Sequence, residues 1–156
     1  GRLIARIAVL AGKSPVVWEV DADRRTGAIG YEVIDPKADQ KRYYKTIVDV
    51  SGDASLLDTL ISCLAPGGEI VLAGFYDAPM TFSFPQAFMR EARIRVAAQW
   101  QPKDLLAVKN LAESGRLSLD GLITHHASPH QADQAYRQAF SDKDCLKMVL
   151  DWRTLQ

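Results

Sequence analysis

The sequence has little of what builds metal centres, disulfide frameworks, membrane spans or nucleic-acid surfaces. Its two cysteines, Cys63 and Cys145, are far apart and stand in no ligand-like spacing, so they read as free thiols of a reducing cytoplasm. Its three histidines, His125, His126 and His130, crowd into one stretch that reads as a loop. Surface residues are the expectation there, and no cysteine cluster or His/Glu pairing offers a zinc site. Neither sign of charge is in excess, with 19 Lys+Arg against 19 Asp+Glu. Without a global field, nucleic acid and anionic bilayers are demoted as partners. No run approaches the ~20 apolar residues of a membrane span, and no signal-peptide pattern opens the chain, so the cytoplasm is the expected location. An initiator Met is missing too: Gly1 runs straight into a helical pattern, and further natural sequence is expected upstream.

What is there is globular. Hydrophobic residues make up 47% and charged residues 24% of 156, enough for one domain with a proper core. Leu3, Ile4, Ile7, Ala8 and Leu10 recur at helical spacing before Gly12, which predicts a helix stopped by that glycine. Short apolar runs predict strands at Val16–Glu19, Tyr31–Ile34, Thr46–Val50, Glu69–Gly74 and Ile94–Ala98. Helical patterns fall at Asp23–Gly30 (weak), Ala54–Leu64, Lys103–Ser114 and Gln131–Phe140. Pro66-Gly67-Gly68 reads as a hard turn, Phe75 onward as an aromatic loop, Leu122–Thr124 as a short extended piece, and Cys145–Trp152 as a closing strand. Short strands, apolar on both sides and mostly separated by helices, are the pattern of a parallel sheet covered on both faces.

One stretch carries chemistry. A dinucleotide-binding βαβ unit places a glycine-rich turn before a helix, and an acid about 20 residues on that accepts the ribose hydroxyls. Here Gly1 can be only the last glycine of such a motif, with Arg2 beside it at the helix start facing a diphosphate. Glu19 falls at the expected distance, after Val16-Val17-Trp18. A carboxylate beside the ribose 2′ position repels a 2′-phosphate, so NAD is favoured over NADP. Arg24 and Arg25 count against this, since an arginine there can pair with that phosphate; stacking on adenine, or solvent, is the alternative. Ser51-Gly52 and Gly74 fall after strands three and four, where an open α/β sheet puts its ligand.

Leu64–Gly74, preceded by Ile47–Gly52, and the tail Leu111–Leu117 with Leu122–His125 resemble the coenzyme domain of medium-chain alcohol dehydrogenases. Segments such as Val17-Trp18-Glu19, Gly30–Pro36, Ala73–Pro79, Phe88–Ala92, Ser114–His125 and Cys145–Arg153 resemble, more narrowly, the members that oxidise the 3-(1-hydroxyethyl) group of a chlorin to acetyl in bacteriochlorophyll biosynthesis. The resemblance implies a Rossmann-like, doubly wound α/β domain over residues 1–156, lacking its first strand. It implies NAD as cofactor and a chlorin as the small-molecule substrate. Ser51 and Gly52 would lie near the nicotinamide ribose, and Gly74 and Phe75 at the nicotinamide. Phe75 and Tyr76 become candidate substrate contacts; the wider aromatic stretch with Phe82, Phe84, Phe88 and Trp100 suits a chlorin pocket or, alternatively, core and interface packing. Catalytic residues are expected upstream of this sequence, with residues from about 118 to 156 packing toward the domain that carries them.

Two structural expectations follow. In the strand order 3-2-1-4-5-6 the absent strand sits at the centre, and with strands about 4.8 Å apart its loss leaves two rows of backbone groups without partners; the fragment is expected to be unstable alone as this sheet. Ile94–Ala98 becomes an apolar edge strand, which invites a homodimer. The rival readings are an S-adenosylmethionine methyltransferase, which also ends its second strand in an acid, a non-catalytic binding or assembly module, and a dehydrogenase of another substrate.

Overall fold

A computed structural model describes residues 1–155. In chain order the principal elements are α1 (Arg2–Leu10), β1 (Val16–Trp18), β2 (Glu32–Ile34), β3 (Tyr44–Asp49), α2 (Leu57–Ser62), β4 (Leu64–Leu72), α3 (Phe84–Met89), β5 (Arg93–Val96), α4 (Pro102–Glu113), β6 (His125–Ala127), α5 (Ala132–Ser141) and β7 (Met148–Leu150). All strand pairs are parallel, in three sets: β1-β2, β3-β4-β5 and β6-β7. The chain forms two compact units, Ala38–Gln101 and, flanking it in sequence, Gly1–Lys37 with the chain from Pro102.

The flanking unit is organised by α1. Gly12 takes φ +72°, its N–H donates to Val9 O (2.9 Å), and the Lys13 N–H donates to Ala8 O (3.0 Å). This is the Schellman closure that a glycine after the last apolar residue predicts. Arg6, only 4% exposed, donates from Nη1 to Ser118 O and from Nη2 to Asp120 O, both at 2.7 Å. A buried guanidinium without such acceptors is costly, so Arg6 ties the segment after α4 to the helix.

The Ala38–Gln101 unit has the denser core. Ile47, Ile70 and Ile94 stand side by side across β3, β4 and β5. Ile70 and Ile61 of α2 are fully buried, with Leu57, Leu60, Leu64 and Cys63 around them. Each such aliphatic side chain contributes about 1.5–3 kcal/mol by leaving water.

The structure corrects the sequence reading at several places. The Asp23–Gly30 helix shrinks to one 3-10 turn, Asp23–Arg25, because Gly27 and Gly30 both take positive φ. Ala54–Leu64 divides into a 3-10 turn, Ala54–Leu56, begun by Asp53 capping the Ser55 N–H, and α2; Leu64 belongs to β4. The extended piece at Leu122–Thr124 lies three residues later, as β6. Part of the aromatic loop is helical, as α3, with Pro85 in its first turn. Pro66-Gly67-Gly68 is not a turn before a strand but an excursion inside one: Tyr44 pairs with Leu64, whereas Thr46 pairs with Glu69.

That excursion depends on two glycines for different reasons. Gly67 takes φ +70° with open space where a side chain would be, whereas a Cβ on Gly68 would lie 2.8 Å from Ala65 O and 3.2 Å from Lys45 O. Gly67→Ala is therefore expected to cost about 1 kcal/mol of conformational strain, largely recovered by Asn, and Gly68→Ala about 1–3 kcal/mol of steric strain that Asn does not recover. Urea midpoints of the four variants check this, and equal Ala and Asn effects at both positions would contradict it.

Candidate functional site

In the flanking unit, Glu19 directly follows β1 and continues its ladder, its N–H donating to Ile34 O at 3.0 Å. Its Oε1 accepts the Asp21 N–H at 3.0 Å, which turns the chain beyond the carboxyl end of the strand. Gly1 caps the start of α1, whose first residue is Arg2. The Arg2 side chain holds the start of the helix to the loop that follows Glu19. Arg2 donates to Arg24 O at 2.8 Å.

The two arginines of this loop are already engaged. Arg24 donates from Nε (2.9 Å) and Nη2 to Lys143 O, and its Nε lies 4.0 Å from Asp21. Arg25 donates to Glu19 O (2.8 Å), Val20 O (2.9 Å) and Asp35 Oδ2 (2.7 Å). The Lys37 N–H, together with Arg25, holds the Asp35 carboxyl below its usual 3.8. The hollow of about 350 Å³ lined by Ser14, Val16 and Glu32 lies at the amino ends of β1 and β2, on the opposite rim from Glu19.

In the Ala38–Gln101 unit the candidates gather at the carboxyl ends of β3 and β4. Asp49, 6% exposed, ends β3; its Oδ1 accepts the Ser51 N–H (2.9 Å) and its Oδ2 accepts the Tyr76 hydroxyl (2.8 Å). Ala73 N–H donates to Asp49 O at 2.8 Å. Burial, then the Asp49 carboxylate, pushes the Tyr76 hydroxyl up to about 12 against a hydrogen bond from the Gly74 backbone. Two glycines let the loops close on one another. Gly52 has φ +77°, and a Cβ there would lie 2.8 Å from Phe75 O; a Cβ on Gly74 would lie 2.9 Å from Gly52 N and 3.2 Å from the Tyr76 ring. Phe75 projects fully into solvent. The backbone edges of Ser51, Gly52, Gly74 and Phe75 therefore form one continuous lip beyond two adjacent parallel strands.

Asp49 is the residue that sequence reasoning missed. The signal was present: an acid at the end of the apolar run Thr46–Val50 needs a partner if the strand is buried. Most of the aromatic stretch does not pack into the core of its own unit: Phe75, Phe82, Phe84, Phe88 and Trp100 are exposed, and the Phe84 and Phe88 rings lie 6.0 Å apart. His125 and His126 are in β6, not in a loop, and His130 is in a 3-10 turn. His125 Nδ1 is 2.9 Å from Thr124 Oγ1 and its Nε2 is 3.5 Å from Asp142. Among the described residues no group of three or more His, Cys, Asp or Glu is placed to hold a metal ion, and no helix is long and apolar enough to cross a membrane.

No family model matches the chain. Over 98% of its length it is 59% identical to the 2-desacetyl-2-hydroxyethyl bacteriochlorophyllide A dehydrogenase of Cereibacter sphaeroides and 57% identical to the protein of that name from Rhodobacter capsulatus, of which it covers 48% and 49%. The structure of a short chain alcohol dehydrogenase from Escherichia coli CFT073, complexed with the cofactor NADH, superposes on 96% of this chain and 48% of its own at a TM-score of 0.82 and 19% identity, a likeness of fold alone. The chain spans about half the length of the curated relatives it matches. It is a relative of the bacteriochlorophyllide A dehydrogenases over that half, with the α/β fold of the alcohol dehydrogenases.

Proposed function

We propose that residues 1–156 are the NAD-binding part of a cytoplasmic oxidoreductase that oxidises the 3-(1-hydroxyethyl) group of a bacteriochlorophyllide to acetyl. One observation carries the nucleotide reading: Arg2, the first residue of α1, donates to Arg24 O in the loop that begins at Glu19 beyond the carboxyl end of β1. Gly1 and Arg2 would face the diphosphate, where helix N–H groups stabilise negative charge, and Glu19 would accept the adenosine ribose hydroxyls. The lip of Ser51, Gly52, Gly74 and Phe75 would take the nicotinamide half, since backbone N–H and C=O groups suit a carboxamide and a ribose. A substrate of the kind named for the relatives supports Phe75 and Tyr76 as its contacts.

When bound, the nicotinamide supplies the hydride acceptor. This chain's residues would fix which face of that ring meets the secondary alcohol and hold it close to the carbon losing hydride. No residue here is assigned the hydroxyl proton, so the catalytic groups would lie in the half of the relatives' length that this chain does not span, with residues from about 118 to 156 facing it. Residues 1–156 alone would then turn over no substrate.

The full-length protein, given NAD and a hydroxyethyl chlorin, is expected to form reduced nicotinamide and acetyl chlorin in equal amounts. Gly52→Ala, which drives a Cβ toward Phe75 O, is expected to weaken NADH binding about tenfold or more. Calorimetry that finds S-adenosylmethionine bound and NADH not bound would instead favour the methyltransferase reading. NADH binding without turnover of any hydroxyethyl chlorin would leave a dehydrogenase of another substrate.

The edge strand β5 is exposed along all four residues, with Ile94 and Val96 on one side of the sheet, and we assign it to pairing with a second copy. Val96→Asp is expected to move the protein toward monomer in sedimentation equilibrium, and an unchanged mass would remove the assignment.

The Tyr76–Asp49 bond gives a pH signature. Because folding raises the Tyr76 pKa from 10.0 to about 12, the stability it contributes is fully present below pH 10 and is lost as pH climbs through about 12. The urea midpoint of the protein should exceed that of Tyr76→Phe below pH 10, and the difference should shrink across this window. A constant difference would mean that the hydroxyl titrates alike in both states.

A further inference from the structure

Every cation in the loop after β1 is matched to an acid or a carbonyl, and the matching leaves one carboxylate over. Arg25 is paired with Asp35 at 2.7 Å, Lys143 with Asp23 at 3.0 Å, and Arg24 lies 4.0 Å from Asp21. Among the described residues Glu19 forms no such ion pair. One donor edge of each guanidinium is occupied: Arg25 uses Nε and Nη2 on Glu19 O, Val20 O and Asp35, and Arg24 uses Nε and Nη2 on Lys143 O, with the Nη1 donors outside these bonds. A guanidinium binds phosphate through the donor edge of its plane and stacks on an aromatic base through the face. Arg24, with its side chain 38% exposed, keeps a face for adenine while its Nε/Nη2 edge is occupied.

Resting on the nucleotide reading above, we propose that Asp35 and the Lys143 carbonyl are specificity-determining groups of this site. They hold Arg25 and Arg24 away from the ribose 2′ position, so that Glu19 alone sets the charge there and a 2′-phosphorylated dinucleotide is refused. A 2′-phosphate brings roughly −2 charge. It would meet the Glu19 carboxylate, and it could take the Nε/Nη2 edge of either arginine only by breaking an existing charge-assisted bond. Refusal of NADP is then a property of three groups, Glu19, Asp35 and the turn carrying Lys143, not of the acid alone.

The test uses the full-length protein with NADH and NADPH as titrants. The unmodified protein should bind NADH at least tenfold more tightly than NADPH. Glu19→Ala should weaken NADH and improve NADPH only slightly, because Arg25 stays locked. Adding Asp35→Asn should raise NADPH affinity a further tenfold or so, the equivalent of one charge-assisted hydrogen bond. Asn can still accept the Lys37 N–H that Asp35 Oδ1 accepts at 2.9 Å, which protects the turn. Adding Arg25→Met to that pair should abolish the gain, and an intact thermal transition in each variant excludes unfolding as its cause. No extra NADPH affinity in the double variant, a gain that survives loss of Arg25, or equal affinity of the unmodified protein for the two nucleotides would overturn the proposal. A protein that binds neither nucleotide would overturn the nucleotide reading itself.

Discussion

The closest backbone approach at the candidate site is between the segments that leave β3 and β4, and glycine alone permits it. At Gly52 and Gly74 there is no room for a Cβ, and the atoms in the way are backbone or a ring, not the mobile end of a side chain. Once the two segments meet, a buried carboxylate can be satisfied. Asp49 receives one donor from its own segment, the Ser51 N–H, and one from the other, the Tyr76 hydroxyl. An unpaired carboxylate that deep would cost on the order of several kcal/mol. The glycines and the acid therefore explain one another: the close approach brings the partner within reach, and the bond holds the approach closed.

The rim beyond β1 is built on a different principle. There the backbone turns are stabilised by short acids, with Asp21 and Asp35 each accepting an N–H two residues on, and the arginines are consumed in fastening the turns. What results is a loop of many charges that are largely paired, apart from the Glu19 carboxylate. At a surface, paired charges of this kind contribute little stability, typically about 0–1 kcal/mol per pair. Their consequence is positional, since they decide which charge a ligand meets first.

Much of this was legible in the sequence, for identifiable reasons. The Gly12 stop, the strands at Val16 and Thr46 and the acid at Glu19 were each set by a local rule, whether a positive φ, an apolar run or a spacing. The misreadings arise where tertiary contacts overrule local preference. Pro66-Gly67-Gly68 has the composition of a turn, yet Leu64 finds a partner in Tyr44, and the strand resumes at Glu69. Phe84–Met89 reads as loop because a run of aromatics has no clear helical period; the proline in its first turn is the available signal. Asp49 and Arg25 could be seen as residues, but their partners, Tyr76 and Asp35, are fixed only by folding. Pairing across 27 positions leaves no trace in spacing.

Which apolar side chains remain outside bears on how such a chain could work. A monomeric surface seldom gathers several large apolar groups without use for them, yet within one short stretch Phe82, Phe84, Phe88 and Met89 are exposed, with Val96 on the edge strand that follows. Phe75 is wholly exposed at the lip that the nicotinamide half would occupy. A rigid ring carried by a segment locked through Tyr76 loses little entropy on meeting a flat apolar partner, because the backbone behind it is already fixed. The bond between Tyr76 and Asp49 thus has a second consequence beyond stability: it fixes the backbone from which Phe75 projects, and with it the direction in which that ring faces solvent.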